Sequence, residues 1–198
     1  MPLSEPVARA PIHTRRITCQ GYRRTDGLWD IEAHLTDVKS YGFDTEGRGR
    51  LEPGAPIHQM WLRLTVDDQL TVQAVEAVTD DSPYQACGSI TPRFQALIGL
   101  RVGPGWTHAV KQRLGGPRGC THLVELLGPV ATTAFQTVFP VVSREAALKA
   151  RTEGRNITEL GEQPTLLNMC HIYSSDGDAV RRHWPKFYTG GGADAAAD

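Results

Sequence analysis

Three residues of the metal-ligating type stand at the edges of regular elements, each close to glycine or proline. His58 follows Pro53-Gly54-Ala55-Pro56-Ile57, Cys87 closes Pro83-Tyr84-Gln85-Ala86-Cys87 before Gly88, and Cys120 lies in Gly119-Cys120-Thr121-His122. Such edges are where backbones gather side chains into a site. Two thiolates and one imidazole suit Zn2+ and also bind Fe2+. Three protein ligands leave a fourth position for water or substrate, the arrangement of catalytic zinc. Cys120 opens a helical segment, whose unpaired N–H groups and dipole favour negative charge. His122 falls in the first turn of that segment and reads as an acid/base beside the ligands, and Glu125 as a partner of the helix dipole. Two other readings stay open: thiols that pack as small hydrophobes, and a metal-free reactive thiol at Cys120 or Cys87.

The elements that must position these residues follow from hydrophobic period. Ile17, Cys19 and Gly21 alternate with polar neighbours, Asp26-Gly27 is a hairpin signal, and Trp29, Ile31, Ala33 and Leu35 alternate with Asp30, Glu32, His34 and Thr36. Strands are therefore expected near 16–24, 28–38, 57–66 and 70–79, the last two turning at Asp67-Asp68, with a loop over 40–54. After Thr79 the period changes from 2 to 3.6. Helices are expected over 91–100, 105–114 and 121–138, the last with Leu123, Leu127, Val130, Ala134 and Val138 in one stripe that keeps phase across Pro129. A short charged helix fits 143–152. Four antiparallel strands followed by helices is an α+β pattern, with the helices on one face of the sheet. Residues 1–14 and 189–198 read as disordered tails around a single domain over 15–188.

At 198 residues, with 40% hydrophobic and 22% charged residues, the chain can bury a core. A formal charge of −1 and no basic block argue against nucleic acid as a partner. No stretch approaches the roughly 18 apolar residues that span a bilayer, and residues 1–14 lack the apolar centre of a signal peptide. The expected setting is a reducing, bacterial-type cytoplasm, where the four cysteines stay unpaired. Cys19 then packs within a strand; for Cys170-His171, which follows the matched block, packing of the thiol and a fold back over the site both stay open. Arg23, Arg24, Arg181 and Arg182 read as charged surface, with an anionic substrate as the alternative.

The runs Tyr22-Arg23-Arg24-Thr25-Asp26-Gly27-Leu28-Trp29-Asp30, Ile57-His58-Gln59-Met60-Trp61, Pro83-Tyr84-Gln85-Ala86-Cys87 and Gly119-Cys120-Thr121-His122-Leu123 resemble a bacterial family, domain of unknown function 2889, over about residues 16–188. More distantly, residues 53–139 resemble the NifU-type iron–sulphur scaffold. Gly54-Ala55-Pro56 is kept, His58 stands where the first ligand cysteine would be, and Cys87 and Cys120 stand at the second and third. Met60 replaces the family aspartate, and Gly119 the histidine before the last cysteine. That resemblance implies a NifU-like core with an N-terminal hairpin and a C-terminal extension.

The expected function is that of a metal-dependent enzyme, lyase or hydrolase in type, using Zn2+ or Fe2+ as Lewis acid on a small carbonyl-bearing molecule. His58, Cys87 and Cys120 are its ligands and His122 its acid/base. The alternatives are a cluster scaffold or sulphur-transfer protein, and a metal-free binding module. No nucleic acid or membrane partner is expected, and the oligomeric state is left open.

Overall fold

The computed structural model describes residues 3–154 and 163–190. They group into two compact units divided between Glu145 and Ala146, where the sequence suggests one domain. Of the two expected tails, residues 1–2 and 191–198 lie outside the described residues.

The first unit is built on a four-stranded sheet. Its strands β1 (His13–Arg23), β2 (Trp29–Lys39), β5 (Pro56–Val66) and β6 (Val72–Asp81) lie in the order β1-β2-β5-β6, each pair antiparallel. The fold is α+β. The loop read over 40–54 holds a small hairpin of β3 (Phe43–Thr45) and β4 (Gly49–Leu51). Alternation decides the faces: Trp29, Ile31, Ala33 and Leu35 on β2, and Met60, Leu62, Leu64 and Val66 on β5, are buried, while their neighbours turn outward. On the outward face His34 stacks on Trp61, ring centroids 3.7 Å apart. At the β5–β6 turn the Asp67 carboxylate accepts the N–H groups of Gln69 and Thr71, both at 2.9 Å, and Asp68 accepts the Trp29 indole N–H at 2.8 Å.

The covering elements depart from the sequence reading in two places. The helix expected over 91–100 is a 3-10 stretch over Gln85–Leu97, containing Pro92. With three residues per turn, Phe94 and Leu97 share the buried side, and Ile98 is left 45% exposed. After α1 (Trp106–Leu114), the helix α2 runs from Thr121 to Thr152 through both Pro129 and Pro140. The expected helices over 121–138 and 143–152 are therefore one. Both prolines, and the residues Glu125 and Gln136 whose carbonyls lose their partner, are exposed, so water can satisfy what the missing N–H groups leave free. Leu123, Leu126, Leu127, Val130, Ala134 and Val138 of α2 join the core with the sheet residues. Approach to β1 is close: a Cβ on Gly21 would lie 2.0 Å from the Thr137 hydroxyl.

By length and composition α2 is apolar enough to cross a membrane, which corrects the expectation that no stretch is. The average over a window containing Gly, Ala, Thr and Pro is high even though no run of apolar residues is long. In this fold its apolar stripe lies in the core of the first unit.

The second unit holds a 3-10 turn at His171–Tyr173, the short helix α3 (Asp178–His183) and a 3-10 turn at Pro185–Phe187. Val180 is buried there, and the rings of Tyr173 and Trp184 lie 5.2 Å apart. Cys170 and His171 belong to this unit.

Candidate active site

The inward face of β2 does not end at Leu35. Two residues on, the same face carries Asp37, whose side chain is 1% exposed. Register brings Arg15 of β1 opposite Asp37 on one side and His58 of β5 opposite it on the other. Arg15 continues the inward set of Ile17, Cys19 and Gly21, and His58 that of Met60 and Leu62. The core thus ends in a polar row, Arg15–Asp37–His58, at one level of the sheet. Just past it the β2–β5 register shifts, Asp37 facing His58 but Val38 facing Pro56. The first turn of α2 lies over the row and contributes His122 and Glu125.

Asp37 accepts from every side. Arg15 grips it with two parallel bonds, Nε to Oδ1 at 2.8 Å and Nη2 to Oδ2 at 2.7 Å. His13 Nε2 lies 3.0 Å from Oδ1, His58 Nδ1 3.0 Å from Oδ2, and His122 Nε2 3.9 Å from Oδ2. Arg15 also reaches the Glu125 carboxylate with Nη1. Burial would push the Asp37 carboxyl up, but the Arg15 fork and charge, with the bonds from His13 and His58, outweigh it and hold the pKa at about 2. Arg15 is held more firmly protonated by its bonds to Asp37 and Glu125, against a smaller opposing effect of burial.

The two imidazoles pack ring against ring, centroids 3.7 Å apart and planes tilted by 30°. Both titrate below an ordinary histidine. For His58 the causes are burial and then the positive charge of His122; for His122 they are burial and then Arg15. An ionised carboxylate can only accept, so the Asp37 contact places the proton of neutral His58 on Nδ1 and leaves Nε2 with a bare lone pair. On His122, Nδ1 faces the Cys120 sulphur at 4.0 Å.

Of the sequence-derived site, His58 and His122 meet, and Cys120 touches His122 from its place before α2. Cys87 sits in the first turn of the 3-10 stretch, its N–H on the Tyr84 carbonyl. Among the described residues, the group whose donor atoms all lie within 4.8 Å of one another is Asp37, His58 and His122. It shares only His58 with the ligand set read from sequence. Cys19 is half-buried on β1, where burial raises its pKa against a hydrogen bond with Thr133, and Cys170 is exposed. Sequence reasoning misses His13, Arg15 and Asp37. The signal for Asp37 is present: carrying the alternation of Trp29 to Leu35 one step further turns a carboxylate inward.

Residues 13–136 match the family described as protein of unknown function (DUF2889), a span that contains every residue of this cluster. No curated protein and no solved structure matches the chain, so the NifU-type resemblance rests on the short sequence motifs alone.

Proposed function

The chain belongs to the family of proteins of unknown function DUF2889, and from that premise we propose that it is an enzyme of the lyase or hydrolase type, moving protons on a small carbonyl-bearing molecule with the imidazoles of His58 and His122. The observation that carries this reading is the 3.0 Å contact of His58 Nδ1 with buried Asp37. It fixes the tautomer and leaves Nε2 as a general base, which the lowered pKa keeps unprotonated at neutral pH. A proton on His122 opposes a second one on His58, whose titration its charge lowers. The pair therefore accommodates one proton at a time, as a base and its conjugate acid must.

A second reading is favoured by the convergence of Asp37, His58 and His122 donors within 4.8 Å, which suits Zn2+ or Fe2+. Both Asp37 oxygens are already engaged by Arg15, His13 and His58. A cation would then take His58 Nε2 and His122, with Asp37 behind His58 as the carboxylate that orients a ligating imidazole. It would polarise the substrate carbonyl.

The test is proton exchange in D2O, followed by NMR, on a panel of thioesters, lactones and 2-oxo acids after dialysis of the protein against a chelator. The expected result is loss of an α-proton signal for at least one class. His58→Gln should slow that exchange by roughly 10²–10⁴-fold. Activity that vanishes on chelation and returns with Zn2+ selects the metal reading. His58→Gln and His122→Gln variants both exchanging at the parent rate would overturn the proposal.

A further inference from the structure

We infer that Cys120 is a nucleophile of this site, with His122 as its proton carrier, and that the carbonyl compound it takes is an activated acyl group, an ester or thioester. The inference rests on the acid–base reading above and deepens it. Three observations place the sulphur in the machinery. Its Sγ is 4.0 Å from His122 Nδ1, the nitrogen turned away from Asp37. The opposite nitrogen of that ring, Nε2, is 3.9 Å from Asp37 Oδ2, so thiol, imidazole and buried carboxylate lie in sequence. The ring of His58 packs against His122 between them, at 3.7 Å between centroids. A thiol, a base within reach of it and a third group orienting the base are the parts of nucleophilic acyl transfer.

The chemistry balances with water as the second reactant. Sγ bonds to the acyl carbon as its proton passes to His122 Nδ1, and collapse of the adduct breaks the bond to the leaving alcohol or thiol, which takes that proton. The acyl group is then a thioester on Cys120. A water molecule gives a proton to His58 Nε2 and adds to the acyl carbon, and the carbon–sulphur bond breaks. Sulphur takes a proton from solvent as His58 releases one. The sum is ester plus water giving acid plus alcohol, with no oxidant or reductant. His58, prepared by Asp37 as a base, thus acts in the second half and His122 in the first.

The experiment uses the full chain with p-nitrophenyl acetate as probe, read by intact mass and by peptide mapping of the acetyl group. The exposed Cys170 is the internal standard for an ordinary thiol in the same molecule. Expected is acetylation of Cys120 ahead of Cys170, absent in Cys120→Ser and slowed by at least about a hundredfold in His122→Gln. Acetylation of Cys120 no faster than of Cys170 in the unmodified chain overturns the inference, and needs no variant to fold. So does a His122→Gln variant of parent melting temperature that acetylates at the parent rate. If α-proton exchange persists in Cys120→Ser, the acid–base reading stands while the nucleophile falls. If exchange fails in the parent chain but Cys120 acetylates selectively, the reverse holds.

Discussion

Asp37 is the residue on which the site depends, because one carboxylate fixes a tautomer, a guanidinium and two imidazoles at once. Replacing it with Asn keeps the shape but removes the charge, leaving Arg15 with Glu125 as its remaining carboxylate. Arg15 is exposed and keeps Glu125, so Asp37→Asn leaves no unpaired buried charge and should lose roughly 1.5–3 kcal/mol, the worth of hydrogen bonds to a charged group, in a denaturant titration. A loss below about 1 kcal/mol would mean that Glu125 alone satisfies Arg15. Proton exchange by Asp37→Asn should also fall, since His58 no longer has an anion to hold its Nδ1 proton. The chemistry-bearing residues were legible by type: His58, Cys120 and His122 stand out in a sequence scan. Asp37 and Arg15 were not, because charged residues are mostly exposed and read that way by default. Cys87 stands out by type as well, but lies in the 3-10 stretch and outside the group of Asp37, His58 and His122.

Among the elements, the contact of α2 with β1 sets the height of His122 above the polar row. Gly21 opens the space for it: any side chain there meets Thr137, a branched residue with little freedom to retreat. Gly21→Ala should therefore destabilise by about 1–3 kcal/mol through overpacking. The double variant Gly21→Ala/Thr137→Ala should recover most of the loss, and equal losses in the single and double variants would show that this contact is not the cause. The strands were readable because period 2 leaves little ambiguity. β1 starts three residues before the expected 16–24, because His13 and Thr14 pair with Lys39 and Val38 although no apolar alternation marks them. The passage of α2 through Pro129 is readable from the stripe that keeps phase across it, but the 3-10 stretch and the passage through Pro140 are not, since proline marks a lost hydrogen bond without saying whether water replaces it.

For the whole molecule, the pKa shifts predict a two-step acid response. His58 and His122 titrate lower in the fold than the roughly 6.5 of a free imidazole. The unfolded chain therefore binds their protons first, and stability present above about pH 6.5 declines as pH falls through that value. Asp37 adds a later step. With a folded value of about 2 against the usual 3.8, its contribution, roughly 2 kcal/mol, is present above about pH 4 and is lost as pH falls towards 2. Urea unfolding across this range should show both declines. The double variant His58→Gln/His122→Gln should lack the first and keep the second, and a parent chain equally stable at pH 7 and pH 5 would refute the histidine step.

The bond between Arg15 and Glu125 has a kinetic consequence. The sheet is a run of antiparallel neighbours, its strands meeting partners close in the chain, whereas Arg15 and Glu125 are separated by 110 positions. Closing so wide a loop is entropically the slowest event to be rewarded, so the sheet should assemble first and the start of α2 dock after the rate-limiting barrier. Glu125→Gln should then speed unfolding in stopped-flow measurements and leave the folding rate within about twofold, a φ-value near zero. A folding limb slowed as much as the unfolding limb is accelerated would place that docking inside the nucleus. In the order proposed, the sheet stands complete before its polar row is covered, and a chain caught part-way holds Asp37 and His58 in place with His122 still apart from them.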